Sequence, residues 1–92
     1  MKTFHITVTG KVQGVWFRAS AKDKALSLGL KGKVWNDHDE TVGIIAQGDL
    51  HRINEFIEWC KHGPPLAKVD QVNVEEVTDE YVFNEFEISR SR

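Results

Sequence analysis

The chain has 92 residues, of which 40% are hydrophobic and 28% charged, and a formal net charge of −2. A chain of that length supports one domain, residues 1–92, and buries only about 60–65% of its unfolded surface, so a single core must use nearly every apolar residue. No apolar run approaches the ~18 residues of a membrane helix, and the mild acidity argues against a general nucleic-acid surface, which needs concentrated basic residues.

Met1-Lys2 leads straight into a strand-like pattern with no signal-peptide hydrophobic region, so the expected location is the cytoplasm. The single cysteine, Cys60, has no internal disulfide partner, which fits a reducing compartment. Nothing requires more than a monomer.

Phe4, Ile6 and Val8 alternate with His5, Thr7 and Thr9, the period-2 signature of a strand with one buried face. A glycine-containing loop over 10–16 follows. Phe17, Ala21, Ala25 and Leu28 then share one face of a helix, which Gly29 ends as a C′ residue. Residues 30–35 and 42–47 read as two strands joined by a polar turn over 36–41. Asp49 is an N-cap for a second helix with the stripe Leu50, Ile53, Phe56, Ile57 and Cys60. Gly63-Pro64-Pro65 stops that helix. A fourth strand spans 69–77, with Val72 and Val74 pointing the same way. A last short strand carries Phe86 and Ile88, after a turn at Asp79 and Glu80.

The order β-α-β-β-α-β plus a terminal strand predicts an α+β, ferredoxin-like sandwich, with two helices on one face of a mostly antiparallel sheet of four to five strands. Many functions use that arrangement, so the site must carry the argument. In such a unit the first two strands run parallel. Their C-terminal ends meet at one sheet edge, bringing the 10–17 loop, Arg18 and Asn36 together.

A tight loop feeding a helix N-terminus presents backbone N–H groups without intrahelical partners, and with the helix dipole these favour an anion. Gly14 can take positive φ and let consecutive amides converge. Arg18 adds a planar cation able to grip two phosphate oxygens. The loop is neither a Walker A motif nor a dinucleotide-binding Gly-x-Gly-x-x-Gly. A plain tight turn with a solvated arginine is the other reading of two glycines and an arginine.

Gly10-x-Val12-Gln13-Gly14-Val15-x-Phe17-Arg18 resembles the signature of the acylphosphatase family, at seven specified positions in nine. A second family signature, an asparagine ending a glycine-containing strand and a hairpin beyond it, resembles Gly32-Lys33-Val34-Trp35-Asn36 with Val42 six positions later. Element order and length match too, so the resemblance covers essentially the whole chain. It implies a metal-independent hydrolase without cofactor that cleaves small acyl phosphates to carboxylate and inorganic phosphate, the latter also an inhibitor. It further implies a cradle of mainly backbone amides from Gln13, Gly14, Val15, Trp16, Phe17 and Arg18, with Arg18 and Asn36 as catalytic residues. Arg18 would bind the phosphoryl oxygens and Asn36 position the attacking water.

Two departures from the family pattern stand out. Asp39 is followed by Glu40 where glycine is common, so a left-handed turn there would be strained. Trp16 fills a variable site beside the cradle, where it either shapes an acyl pocket or serves packing or surface. Asp37-His38-Asp39-Glu40 lacks calcium-loop spacing and reads as a solvated hairpin tip. His5, His51 and His62 lack zinc spacing and read as surface residues. Cys60 reads as a packing thiol, and Trp59 as a cap on the core edge. Lys11, Lys31 and Lys33 either add positive potential near the site or are simply solvated. Arg90 and Arg92 read as a loose basic tail.

Two rival functions remain. RNA binding on sheet aromatics lacks its aromatic signature and the charge it needs. An acyl- or carbamoyl-phosphate-binding domain of a larger machine, as in hydrogenase-maturation proteins, is disfavoured by the short chain and by having both Arg18 and Asn36.

Overall fold

The computed structural model describes residues 1–78 and 82–92; the turn expected at Asp79 and Glu80 lies outside them. The elements are β1 (Lys2–Lys11), α1 (Phe17–Ser27), β2 (Lys31–Asn36), β3 (Val42–Gly48), α2 (Leu50–Cys60), β4 (Lys68–Glu76) and β5 (Phe86–Ile88). They form one five-stranded sheet of order β4-β1-β3-β2-β5. Both β1 and β2 lie antiparallel to β3, so they run parallel to each other with β3 between them. Their C-terminal ends therefore share one sheet edge. β4 pairs antiparallel with β1, and β5 pairs parallel with β2. The architecture is the expected ferredoxin-like α+β fold.

The period-2 pattern sets the faces. Ile6 and Val8 of β1 oppose Ile44 and Val42 of β3, and all four join Phe17, Ala21, Ala25, Ile53, Phe56 and Cys60 in one buried cluster. Both helices thus cover the same face. The α1 C-terminus is closed as the glycine predicts: Gly29 has φ +69, its N–H donates to Leu26 O at 3.1 Å, and Leu30 N–H reaches Ala25 O at 2.9 Å. At α2, Asp49 holds the N-cap position with extended backbone but makes no side-chain cap bond. Leu50, expected in the apolar stripe, is exposed at its first turn.

β1 continues two residues beyond the point expected for the loop. Gly10 sits at a bulge and pairs with Val69 of β4. A Cβ there would lie 2.2 Å from Lys68 O, so this glycine serves close strand approach, and the loop proper begins at Val12.

The opposite sheet face carries a second apolar group. Trp35 is fully buried, over Gly43, where a Cβ would come within 2.4 Å of the indole. His5 stacks on the ring at a centroid distance of 5.9 Å, and Lys33 Nζ lies 5.7 Å from its centroid. The C-terminal residues, expected to be loose, are tied to β2: Ser89 N–H donates to Val34 O at 2.8 Å, and Lys33 Nζ to Arg92 O at 2.6 Å.

Candidate active site

Val12 and Val15 are buried and anchor the segment between β1 and α1 to the core. Between and after them the backbone takes positive φ twice, +74 at Gly14 and +69 at Trp16. A Cβ on Gly14 would meet nothing within 4 Å, so glycine is needed there for conformation and not for space. Trp16 is the N-cap of α1. The first hydrogen bond of the helix runs from Ser20 N–H to Trp16 O at 3.0 Å, and among the described residues no backbone N–H from 13 to 19 donates to a protein acceptor. The first turn of α1 carries no acidic side chain. These N–H groups without protein acceptors lie at the positive end of the helix dipole, an arrangement that favours an anion. Arg18, half-buried in that turn, makes no ion pair or side-chain hydrogen bond among the described residues.

Asn36 ends β2 opposite Val42. It belongs to the strand and not to the turn expected over 36–41, and that regular pairing fixes its direction. Alternation puts Gly32, Val34 and Asn36 on the helix-covered face and Trp35 on the other. Asn36 Oδ1 is buried and has no hydrogen-bond partner among the described residues. Such an orphan acceptor is uncommon and calls for a physical explanation. Asn36 and Arg18 line one cavity of about 420 Å³, together with Gly14, Trp16, Ala19 and Ile88.

The hairpin tip beyond Asn36 is tightly organised. Asp37 N–H donates to Thr41 O at 2.9 Å, and Glu40 N–H to Asp37 O at 3.2 Å. Trp35 Nε1 donates to Asp37 Oδ2 at 3.2 Å. Asp39 Oδ1 accepts from Thr41 N–H at 3.2 Å and from the Thr41 hydroxyl at 2.6 Å, the hydroxyl bond being the main cause that holds its carboxyl below the usual range. These carboxylates thus serve the turn. Glu40 has φ +70, the left-handed conformation the family pattern meets with glycine.

Gln13 does more than the backbone role expected of it. Its Nε2 donates to Asp37 O at 2.7 Å and to Thr41 O at 2.9 Å, bolting the loop that leads into Arg18 to the hairpin that carries Asn36. Sequence reasoning missed this side chain, and also Ile88, which β5 delivers to the cavity through its parallel pairing with β2. The family signature flagged Gln13 without saying what its amide holds; nothing flagged Ile88. Phe17 faces the core and packs on Trp59, ring centroids 5.4 Å apart. Lys33 is spent on the opposite sheet face. Burial pushes the Cys60 thiol far up, leaving it inert.

Convergent amides and a guanidinium can hold a tetrahedral oxyanion, and the free carboxamide oxygen can accept a hydrogen bond from a water beside it. Known proteins carry the same frame. A family model described as acylphosphatase matches residues 4–88. The acylphosphatase of Methylococcus capsulatus is 46% identical over 98% of each chain. The crystal structure of the Bacillus subtilis acylphosphatase superposes with a TM-score of 0.93 at 35% identity, covering 97% of this chain and 99% of that one. HypF from T. kodakarensis contains a similar unit, with a TM-score of 0.85 at 33% identity over 97% of this chain but 12% of its own. The chain belongs to the acylphosphatase family.

Proposed function

We propose that this chain hydrolyses the carboxyl–phosphate bond of small acyl phosphates, with water adding to phosphorus and the acyl carboxylate leaving. The backbone amides of residues 13–18 and the Arg18 guanidinium bind the phosphoryl oxygens, and Asn36 Oδ1 accepts a hydrogen bond from the attacking water. The observation that carries this reading is the pairing, in one cavity, of a guanidinium and a buried carboxamide oxygen that both lack protein partners among the described residues. A carboxylate is a good leaving group and needs little acid catalysis. What remains is positioning and stabilisation of charge on the phosphoryl oxygens. Arg18 supplies that cation, so the reaction needs no metal and EDTA leaves turnover unchanged. Inorganic phosphate, as product, competes for the cradle. The protein works as a cytoplasmic monomer in this reading, which agrees with its one thiol, Cys60, being free and buried.

Benzoyl phosphate hydrolysis tests the assignment. Losing a well-placed charge-stabilising group costs roughly 3–4 kcal/mol, or 10²–10³ in rate. Arg18→Ala should lose binding and turnover together. Asn36→Ala should lower kcat with little change in inhibition by phosphate. Activity close to that of the parent in either variant would discredit the corresponding role.

A further inference from the structure

Trp16 occupies a position that folding alone does not reward. Its side chain is 73% exposed, and its backbone is held at φ +69, a conformation disfavoured for a residue with a Cβ. The other two tryptophans behave differently. Trp35 is fully buried and stacked on His5, and Trp59 packs on Phe17 and Phe56. The Trp16 indole takes part in no ring contact, cation–π contact or hydrogen bond among the described residues. It does line the cavity of Arg18 and Asn36, as does Ile88, itself 44% exposed on β5. Two large exposed apolar side chains, from elements far apart in sequence, thus flank a polar pair that would hold a phosphoryl group.

We propose that Trp16 and Ile88 form an acyl-binding wall that makes the site favour acyl phosphates with an aromatic or extended apolar acyl group over acetyl phosphate. This rests on the hydrolytic reading above. The phosphoryl end is held by amides and Arg18, which do not distinguish one acyl phosphate from another. Discrimination through binding comes from the surface next to them, and that surface carries Trp16 and Ile88. An aromatic acyl group laid against the indole removes apolar area from water on both partners and adds the offset or edge-on ring interaction. An acetyl group is too small to cover either side chain.

The test is the ratio of kcat/KM for benzoyl phosphate to that for acetyl phosphate, in the parent chain and in Trp16→Gly, Trp16→Phe and Ile88→Ser. Glycine suits the left-handed backbone, so Trp16→Gly keeps the loop conformation. The ratio should fall roughly 3- to 10-fold in Trp16→Gly, fall by less in Ile88→Ser, and largely survive in Trp16→Phe. The ratio of inhibition constants for benzylphosphonate and methylphosphonate should move in parallel, with no chemistry involved. Ratios unchanged in Trp16→Gly, for substrates and phosphonates alike, overturn the wall. A parent chain that turns over neither substrate overturns the hydrolytic reading itself, while the phosphonate ratio still reports whether the indole contacts the organic group.

Discussion

Replacing Gln13 with methionine keeps the length of the side chain and removes both of its donors. The two carbonyls it serves are not orphaned by the change, since Thr41 O still accepts from Asp37 N–H at 2.9 Å and Asp37 O from Glu40 N–H at 3.2 Å. The cost is therefore the net worth of two hydrogen bonds, about 1 kcal/mol each, and not the larger penalty of burying unpaired acceptors. A total of about 2 kcal/mol lowers the melting temperature of a domain this size by roughly 8–16 °C. The functional effect should exceed that of a general loosening. Asn36 immediately precedes Asp37, so the amide of Gln13 sets where the carboxamide stands relative to the cradle. In Gln13→Met, measured well below its melting temperature, kcat on benzoyl phosphate should fall at least tenfold, while inhibition by inorganic phosphate, which senses mainly the cradle and Arg18, changes about twofold or less. A lower melting temperature with kcat intact would show that the amide only staples the fold. An unchanged melting temperature would show that the two bonds carry no net stability.

Other perturbations follow from the same geometry. Glu40 holds φ +70 on an exposed tip, at a cost of about 1 kcal/mol; Glu40→Gly relieves it but frees the unfolded chain, so thermal melting should show an unchanged or higher midpoint, and a clear drop refutes strain there. Gly43→Ala places a methyl within 2.4 Å of the Trp35 indole and should destabilise by about 1–3 kcal/mol, with a change in tryptophan fluorescence; no change in either would mean the ring is not seated as described. The His5 imidazole is held below its ordinary pKa of 6.5, first by burial and then by Arg92, against opposing pulls from Glu75 and Asp37. The unfolded chain then binds more protons just below pH 6.5, so stability falls as pH drops through that window. His5→Gln should flatten this part of the urea-stability profile, and an unaltered slope would place the titration elsewhere.

The sequence announced the features that depend on local periodicity. Alternation in Phe4–Ile6–Val8 and the stripe Ile53–Phe56–Cys60 name the residues that face the core, because a strand or helix exposes its burial pattern at short range. The glycine at 29 and the run after Cys60 mark helix ends through backbone conformation, which is also local. Features set by long-range pairing were not legible. Gly10 looks like part of a phosphate loop until β4 is placed beside it, when the carbonyl of Lys68 explains the missing side chain. Trp35 reads in the sequence only as the end of the strand over 30–35, and only the register that sets it over Gly43 and beside His5 shows a second apolar group on the outer face. That burial also removes the aromatic platform an RNA-binding sheet would have to present. The terminal arginines look like an untethered tail until Ser89 meets Val34. The candidate site follows the same division: that Arg18 and Asn36 come to one place was legible from element order, while the side-chain amide of Gln13 and the apolar surface of Ile88 depend on pairings 24 or more residues apart.

The distribution of satisfied and unsatisfied groups makes the strongest physical case for where the chemistry lies. Around the hairpin tip nearly every polar group answers another: Trp35 to Asp37, Asp39 to Thr41, Gln13 to two carbonyls. Within that network one buried side-chain oxygen, Asn36 Oδ1, has no hydrogen-bond partner among the described residues. In the segment before α1 and its first turn, the backbone N–H groups of 13–18 and the Arg18 guanidinium donate to no protein acceptor among the described residues, and Trp16 holds a left-handed backbone and is largely exposed. Asn36, Arg18 and Trp16 line one cavity, and the turn beside it is held by its own hydrogen bonds. In the proposed reaction the bonded groups would hold positions so that the unbonded ones meet an anion and a water with little rearrangement, which is how a site gains most from preorganised dipoles.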